Sequence, residues 1–153
     1  MRGFTLIELM VTIAIGAILM AMAIGGYSSL RRDSLVASAG EQIVSTLHQA
    51  RLRALSQRES QSVVIDYSGE GITDSRGNSY VYKGVNLQNM PSGTCTPGTA
   101  ASETITFTAR GSASAAIIKY SSADASKVGY IVINSVTGGI ILYETCTGSG
   151  LFS

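Results

Sequence analysis

The chain has 153 residues and a formal net charge of +1, with 45% hydrophobic and 14% charged residues. That length fits one modest folded domain plus one apolar segment. The near-neutral balance excludes a strong electrostatic pull on nucleic acid.

The chain opens Met1-Arg2-Gly3, and from Phe4 to Ile24 its only charge is Glu8. As a helix rising about 1.5 Å per residue, that run is long enough to cross a hydrocarbon core of about 30 Å. Thr5 and Thr12 can bond back to the helix backbone, and Gly16 is small. Glu8 is the anomaly, because a carboxylate at mid-membrane costs about 2–3 kcal/mol and less near an end. Nothing basic stands at helical spacing on its C-terminal side, which leaves an interfacial or protonated acid, or an acid partnered from elsewhere. Ala21-Met22-Ala23 also fits the small-x-small cut of an ordinary secretory signal, whose product would begin at Ile24. The single Arg2 and the acid within the apolar run stand against that alternative.

Gly25-Gly26 marks a weak point in the helix without a proline to break it. Beyond it Val36, Ala39, Ile43, Leu47, Ala50 and Ala54 recur at steps of three and four, with Gly40 tolerated among them. One helix is predicted from Phe4 to near Gln57. After Ser60 the period changes to two. Strands are predicted over 61–67, 79–83, 85–90, 104–108, 115–120, 130–134 and 140–144, with 68–78 read as turns. Pro91 to Ser102 is a polar loop holding Cys95, and Thr137-Gly138-Gly139 signals a hairpin. The predicted class is α+β: a long N-terminal helix, half for membrane or filament and half amphipathic, packed on an antiparallel β domain. The predicted divisions are 1–3, 4–26 and 27–153, the last comprising an amphipathic helix 27–59 and a β domain 60–153.

No catalytic constellation stands out, so no enzyme activity, cofactor or metal is expected. His48 is the only histidine, and with no neighbouring Cys or second His it reads as a satisfied or solvent-facing helix residue, not a ligand or base. Asp66, Glu70 and Asp74 lie four apart among glycines but do not fit a helix-loop-helix calcium site. Cys95 and Cys146 fit one structural disulfide if the domain is exported, with free core thiols as the alternative. No Cys-x-x-Cys spacing supports redox work. Arg51, Arg53 and Arg58 form the only basic cluster, and Glu59 beside them favours a solvated face over a nucleic-acid surface.

Gly3-Phe4-Thr5-Leu6-Ile7-Glu8 followed by the apolar run resembles the class III signal of type IV pilins and type II secretion pseudopilins. The resemblance implies that prepilin peptidase cuts between Gly3 and Phe4 and that Phe4 is N-methylated. It also implies that Glu8 neutralises the new N-terminal amine of a neighbouring subunit. The family often has a proline where this chain has Gly25. Further along, Gln49-Ala50-Arg51 through Val63-Val64-Ile65, Phe107 to Gly111, and Thr137-Gly138-Gly139 resemble the GspH/FimT group of minor pilins and pseudopilins, which often has Arg where Gly139 stands. The implied role is a structural subunit of a type IV pilus or a type II secretion pseudopilus. Its implied partners are other pilins in a filament, prepilin peptidase and the inner-membrane assembly machinery. The implied location is a single pass through the bacterial inner membrane with the C-terminal domain periplasmic, then a periplasmic or surface filament. A surface-exposed binding module, such as a DNA-uptake receptor on a pilus-like anchor, is the rival reading.

Overall fold

The structure, a computed structural model, describes residues 5–91 and 95–146, and of 22–29 the backbone alone. The chain divides into two compact units, Met1–Ser34 and Leu35–Ser153. One helix, α1 (Leu6–Gln57), supplies residues to both.

In the first unit α1 starts at Thr5. The Thr5 carbonyl accepts from the backbone N–H of Glu8 and Leu9 at 3.1 and 3.2 Å. Its Oγ1 accepts from the Glu8 N–H at 3.4 Å. Thr-x-x-Glu is the pattern of a helix-capping box, of which the threonine half is formed here. Thr12 Oγ1 donates back to the Leu9 carbonyl at 2.8 Å.

In the second unit the predicted stripe is the buried face of α1: Val36, Ala39, Ile43, Leu47, Ala50 and Ala54 are each 3% exposed or less. Gly40 lies on the same face for a reason of space, since a Cβ there would stand 2.6 Å from the Tyr120 ring. Close approach outweighs the helix propensity that glycine forfeits. The helix ends where Arg58 turns left-handed at φ 55°, a common way to stop a helix.

Eight strands follow: β1 (Gln61–Asp66), β2 (Gly71–Thr73), β3 (Ser79–Val81), β4 (Val85–Met90), β5 (Ser102–Phe107), β6 (Ala116–Ser122), β7 (Val128–Ile133) and β8 (Ile140–Tyr143). They form two four-stranded sheets, ordered β3-β2-β1-β5 and β4-β6-β7-β8. Every neighbouring pair is antiparallel. The architecture is α+β, as expected, with the β part divided between two sheets. Ile43 and Leu47 of the helix share one core with Ile65, Ile105 and Phe107 of the first sheet and Ile118 and Ile131 of the second.

The strand missing from the sequence reading is β2, which lies inside the stretch read as turns. Asp66 Oδ1 accepts from the Ser68 and Gly69 N–H at 3.0 and 2.8 Å. Glu70 takes φ 51°, and Gly71 then pairs back on Asp66. The three-residue strand carries one core side chain, Ile72, too short a run for alternation to register. A polar link ties the two sheets: Glu103 Oε2 of β5 accepts from Tyr67 Oη and from Asn89 Nδ2 of β4, both at 2.7 Å. Burial, then the Glu103 carboxylate, pushes the Tyr67 phenol above its ordinary range. It therefore stays a neutral donor at physiological pH.

Three segments that are remote in sequence meet at the end of α1. Arg51 Nη2 donates to the Thr137 carbonyl at 2.8 Å. Beside it Gly138 holds φ 61°, and a Cβ at that position would run into the Gly111 carbonyl oxygen and lie 3.2 Å from Arg51 Nε. Gly138→Ala is therefore expected to cost about 3 kcal/mol, left-handed strain and a backbone collision together. Thermal melting of the full chain measures this. Gly77→Ala is the control: it shares the left-handed backbone, at φ 84°, but nothing lies within 4 Å of its Cβ position. It should cost only about 1 kcal/mol. Equal losses at both sites would remove the collision as a cause.

Candidate assembly interface

The first unit presents apolar side chains on every side of α1. Leu6, Ile7, Leu9, Met10, Val11, Ile13, Ile15, Ile18, Leu19 and Met20 are all more than half exposed, Leu6 reaching 77%. Consecutive residues such as Leu9, Met10 and Val11 point around the whole helix, so no single partner face could cover them. A helix apolar all round belongs inside something, either lipid or a bundle of other helices. Glu8 is the lone acid of this surface, and it is exposed too. Among the described residues no helix is long and apolar enough to cross a membrane. The predicted span 4–26 reaches past those residues, since Phe4 and the side chains of 22–26 lie outside the description. Gly3 and Phe4, the expected cleavage and methylation positions, also lie outside the described residues.

The remaining candidates separate. His48 is exposed on α1. Of the three clustered arginines Arg58 is exposed, while the other two are engaged within the fold. Arg51 is held by Thr137. Arg53 reaches Asp74 Oδ2 at 3.8 Å, Ser75 Oγ at 3.4 Å and Gln49 Oε1 at 3.4 Å. Asp66 and Asp74 serve two different turns instead of one ion. Asp66 accepts from Ser68 and Gly69, and those bonds, led by the Ser68 hydroxyl, hold its carboxyl below the usual range. Among the described residues no group of three or more His, Cys, Asp or Glu side chains could hold a metal ion.

Asp74 is buried at 8% exposure. Its Oδ1 accepts from the Arg76 and Asn78 N–H groups, both at 2.9 Å, and its Oδ2 from Asn78 Nδ2 at 3.0 Å. Burial works against the carboxylate. The Asn78 and Arg76 bonds and the Arg53 charge outweigh it, and the pKa lies below the ordinary aspartate value. The folded value being the lower one, this stabilisation is complete above the ordinary aspartate range and is lost as pH falls through the folded value. The parent should thus melt above Asp74→Asn at pH 7, and the gap should close below about pH 4. A gap that persists unchanged into that acid range would mean that the charge does not hold the turn.

Cys95 and Cys146 are joined as a disulfide, with their Cα atoms 5.9 Å apart. It links the segments that leave β4 and β8, the two outermost strands of the second sheet. The local feature that sequence reasoning missed is the cap of Thr5 beneath Glu8, for which Thr-x-x-Glu is the visible signal.

Residues 1–24 match the model described as the prokaryotic N-terminal methylation motif. No curated protein matches the chain in sequence. Among solved structures, the fold is similar to that of the minor pseudopilin EpsH from the type 2 secretion system of Vibrio cholerae. The TM-score is 0.57 at 11% identity, over 71% of this chain and 96% of that one. It is also similar to the type IV minor pilin FimU of Pseudomonas aeruginosa, with a TM-score of 0.52 at 21% identity over 71% of this chain and 87% of that one. A second crystal form of FimU gives 0.53 at 21% identity, over 69% and 90%. At such identities the likeness is one of fold. The chain thus joins an N-terminal methylation motif at residues 1–24 to the fold of minor pilins and pseudopilins.

Proposed function

We propose that this chain is a structural subunit of minor pilin or pseudopilin type, assembled through its N-terminal helix into a pilus-like filament. The observation that carries this reading is the apolar, uncovered helix that lies within the methylation-motif match at residues 1–24, on a chain whose fold is similar to that of minor pilins and pseudopilins. In this reading residues 1–3 are a leader removed by prepilin peptidase, and Phe4 becomes the N-methylated first residue. Residues 4–26 hold the chain in the inner membrane and then pack among other helices in the filament. Residues 27–153 form the periplasmic domain, with amphipathic helix 27–59 and β domain 60–153. Moving from lipid to a helix bundle exchanges one apolar neighbour for another. Packing and polar pairing drive that exchange better than burial does. The role is structural and non-enzymatic. Engagement of Arg51 and Arg53 within the fold disfavours the DNA-receptor alternative.

Intact mass of the mature protein tests the reading. It should correspond to a chain beginning at methylated Phe4. A product beginning at Ile24 would instead identify an ordinary secretory signal and overturn the assembly role.

A further inference from the structure

Two cross-strand rows of the second sheet end at β8. Ile118, Ile131 and Leu142 stand opposite one another on the core face, and Ile117, Val132 and Ile141 on the other face. Ile117, Ile118 and Ile131 are buried and Val132 is half-buried, but at β8 Leu142 is 43% and Ile141 50% exposed. These two residues are adjacent in sequence and point to opposite faces, so nothing packed on one face covers both. A strand laid alongside β8 covers both.

Among the described residues no strand lies beyond β8. Its backbone is set to accept one. Asn134 N–H donates to the Gly139 carbonyl at 2.9 Å. Ladder alternation from that pair turns the N–H groups of Ile141 and Tyr143 towards β7 and those of Ile140 and Leu142 outward. Edge strands are commonly blunted by Lys, Pro or a bulge, whereas Ile140-Ile141-Leu142-Tyr143 holds no Lys or Pro and keeps a regular register. The chain that follows suits this edge. Cys146 is pinned to Cys95. Beyond it the sequence runs Thr147-Gly148-Ser149-Gly150-Leu151-Phe152-Ser153, outside the described residues. Two glycines suit a reversal, and they are followed by two adjacent apolar residues, the same pattern as Ile141-Leu142. At about 3.3 Å per residue the chain from Cys146 to Phe152 can reach ~20 Å, farther than the way back to Leu142.

We infer that residues 150–153 return antiparallel along β8 as a further strand, with Leu151 beside Leu142 on the core face and Phe152 beside Ile141 on the other. The chain thereby occupies its own strand-accepting edge, which would otherwise take an extended segment of another molecule by main-chain bonding. On the core face Leu151 would close the groove of about 280 Å³ that Leu142 lines together with Val36 and Tyr120. The Cys95–Cys146 bond fixes the root of this return, which shortens the loop whose closure must be offset. The inference does not depend on entry of the chain into a filament.

Residue-resolved hydrogen–deuterium exchange of the full-length chain in detergent micelles tests it. In the parent the outward amides of Ile140 and Leu142 should be protected, as the inward amides of Ile141 and Tyr143 are by β7. Leu151→Gly combined with Phe152→Gly should speed exchange at Ile140 and Leu142 about tenfold and leave Ile141 and Tyr143 unmoved. That split separates a lost edge partner from general unfolding, which would speed all four. A parent whose Leu142 amide exchanges like an unprotected one overturns the inference, whatever the variant does. So does a variant unchanged at Leu142, or one in which all four amides speed up equally. Protection at Leu142 that fades when the parent is diluted would identify a strand from a second copy on this edge and would likewise overturn it.

Discussion

Glu8→Leu is expected to enter the membrane at least as well as the parent, to be cut after Gly3, and to be nearly absent from filaments. The charge of Glu8 is a cost of about 2–3 kcal/mol at mid-membrane, smaller near an end, so removing it favours insertion. The helix start should survive, because the bonds at Thr5 are made by the backbone N–H of Glu8 and Leu9, not by the Glu8 carboxylate. An acid in the first turn contributes about 0.3–1 kcal/mol through the helix dipole, too little to unfold a long helix. What the substitution removes is the partner proposed for the amine of Phe4 on the adjacent subunit. Between apolar helices such a pair is strongly attractive, while the desolvation of both ions opposes it, so its main effect is to fix axial register. Glu8→Gln separates charge from shape: it keeps size and polarity and should also fail to assemble. Recovery of either variant from sheared filaments at the parental level would reduce Glu8 to a tolerated interfacial acid. Failure of membrane insertion would place its action before assembly.

Where one signal dominated, the sequence was legible. The step of three and four from Val36 to Ala54 could only bury one stripe, and that stripe is buried. The alternation in Val63-Val64-Ile65 and the turn at Thr137-Gly138-Gly139 likewise match β1 and the β7–β8 hairpin. What escaped depended on long-range pairing. The first sheet takes β5 against β1 across the whole of β2, β3 and β4, and no local pattern states which strands share a sheet. β2 escaped because its turn chemistry, Asp66 through Gly71, is louder than its single core residue. Gly40 read as a tolerated helix residue, since its reason, the Tyr120 ring, arrives from a strand eighty residues later.

Loss of the Cys95–Cys146 bond is expected to be the costliest change within the second unit. The bond closes a loop with a sequence separation of 51. In the chain-entropy model that restricts the unfolded ensemble by about 4 kcal/mol. The native geometry asks for no rearrangement, since a Cα separation of 5.9 Å lies within the ordinary range for a disulfide. The position adds to the effect. β4 and β8 are edge strands with one neighbour each, and an edge strand is the first to fray when nothing holds the chain beyond it. Met90 and Ile117, opposite each other in register where the Cys95 loop departs, are 2% and 8% exposed yet lie outside the main core. Fraying of the β4 end would expose both. The double variant Cys95→Ser/Cys146→Ser should melt about 10 °C or more below the parent. Reductant should lower the melting temperature of the parent towards that value and leave the variant unmoved. Alkylation of the unreduced protein should find no free thiol. Two labelled cysteines, or a variant that melts with the parent, would mean that the second sheet holds its edges without the bond.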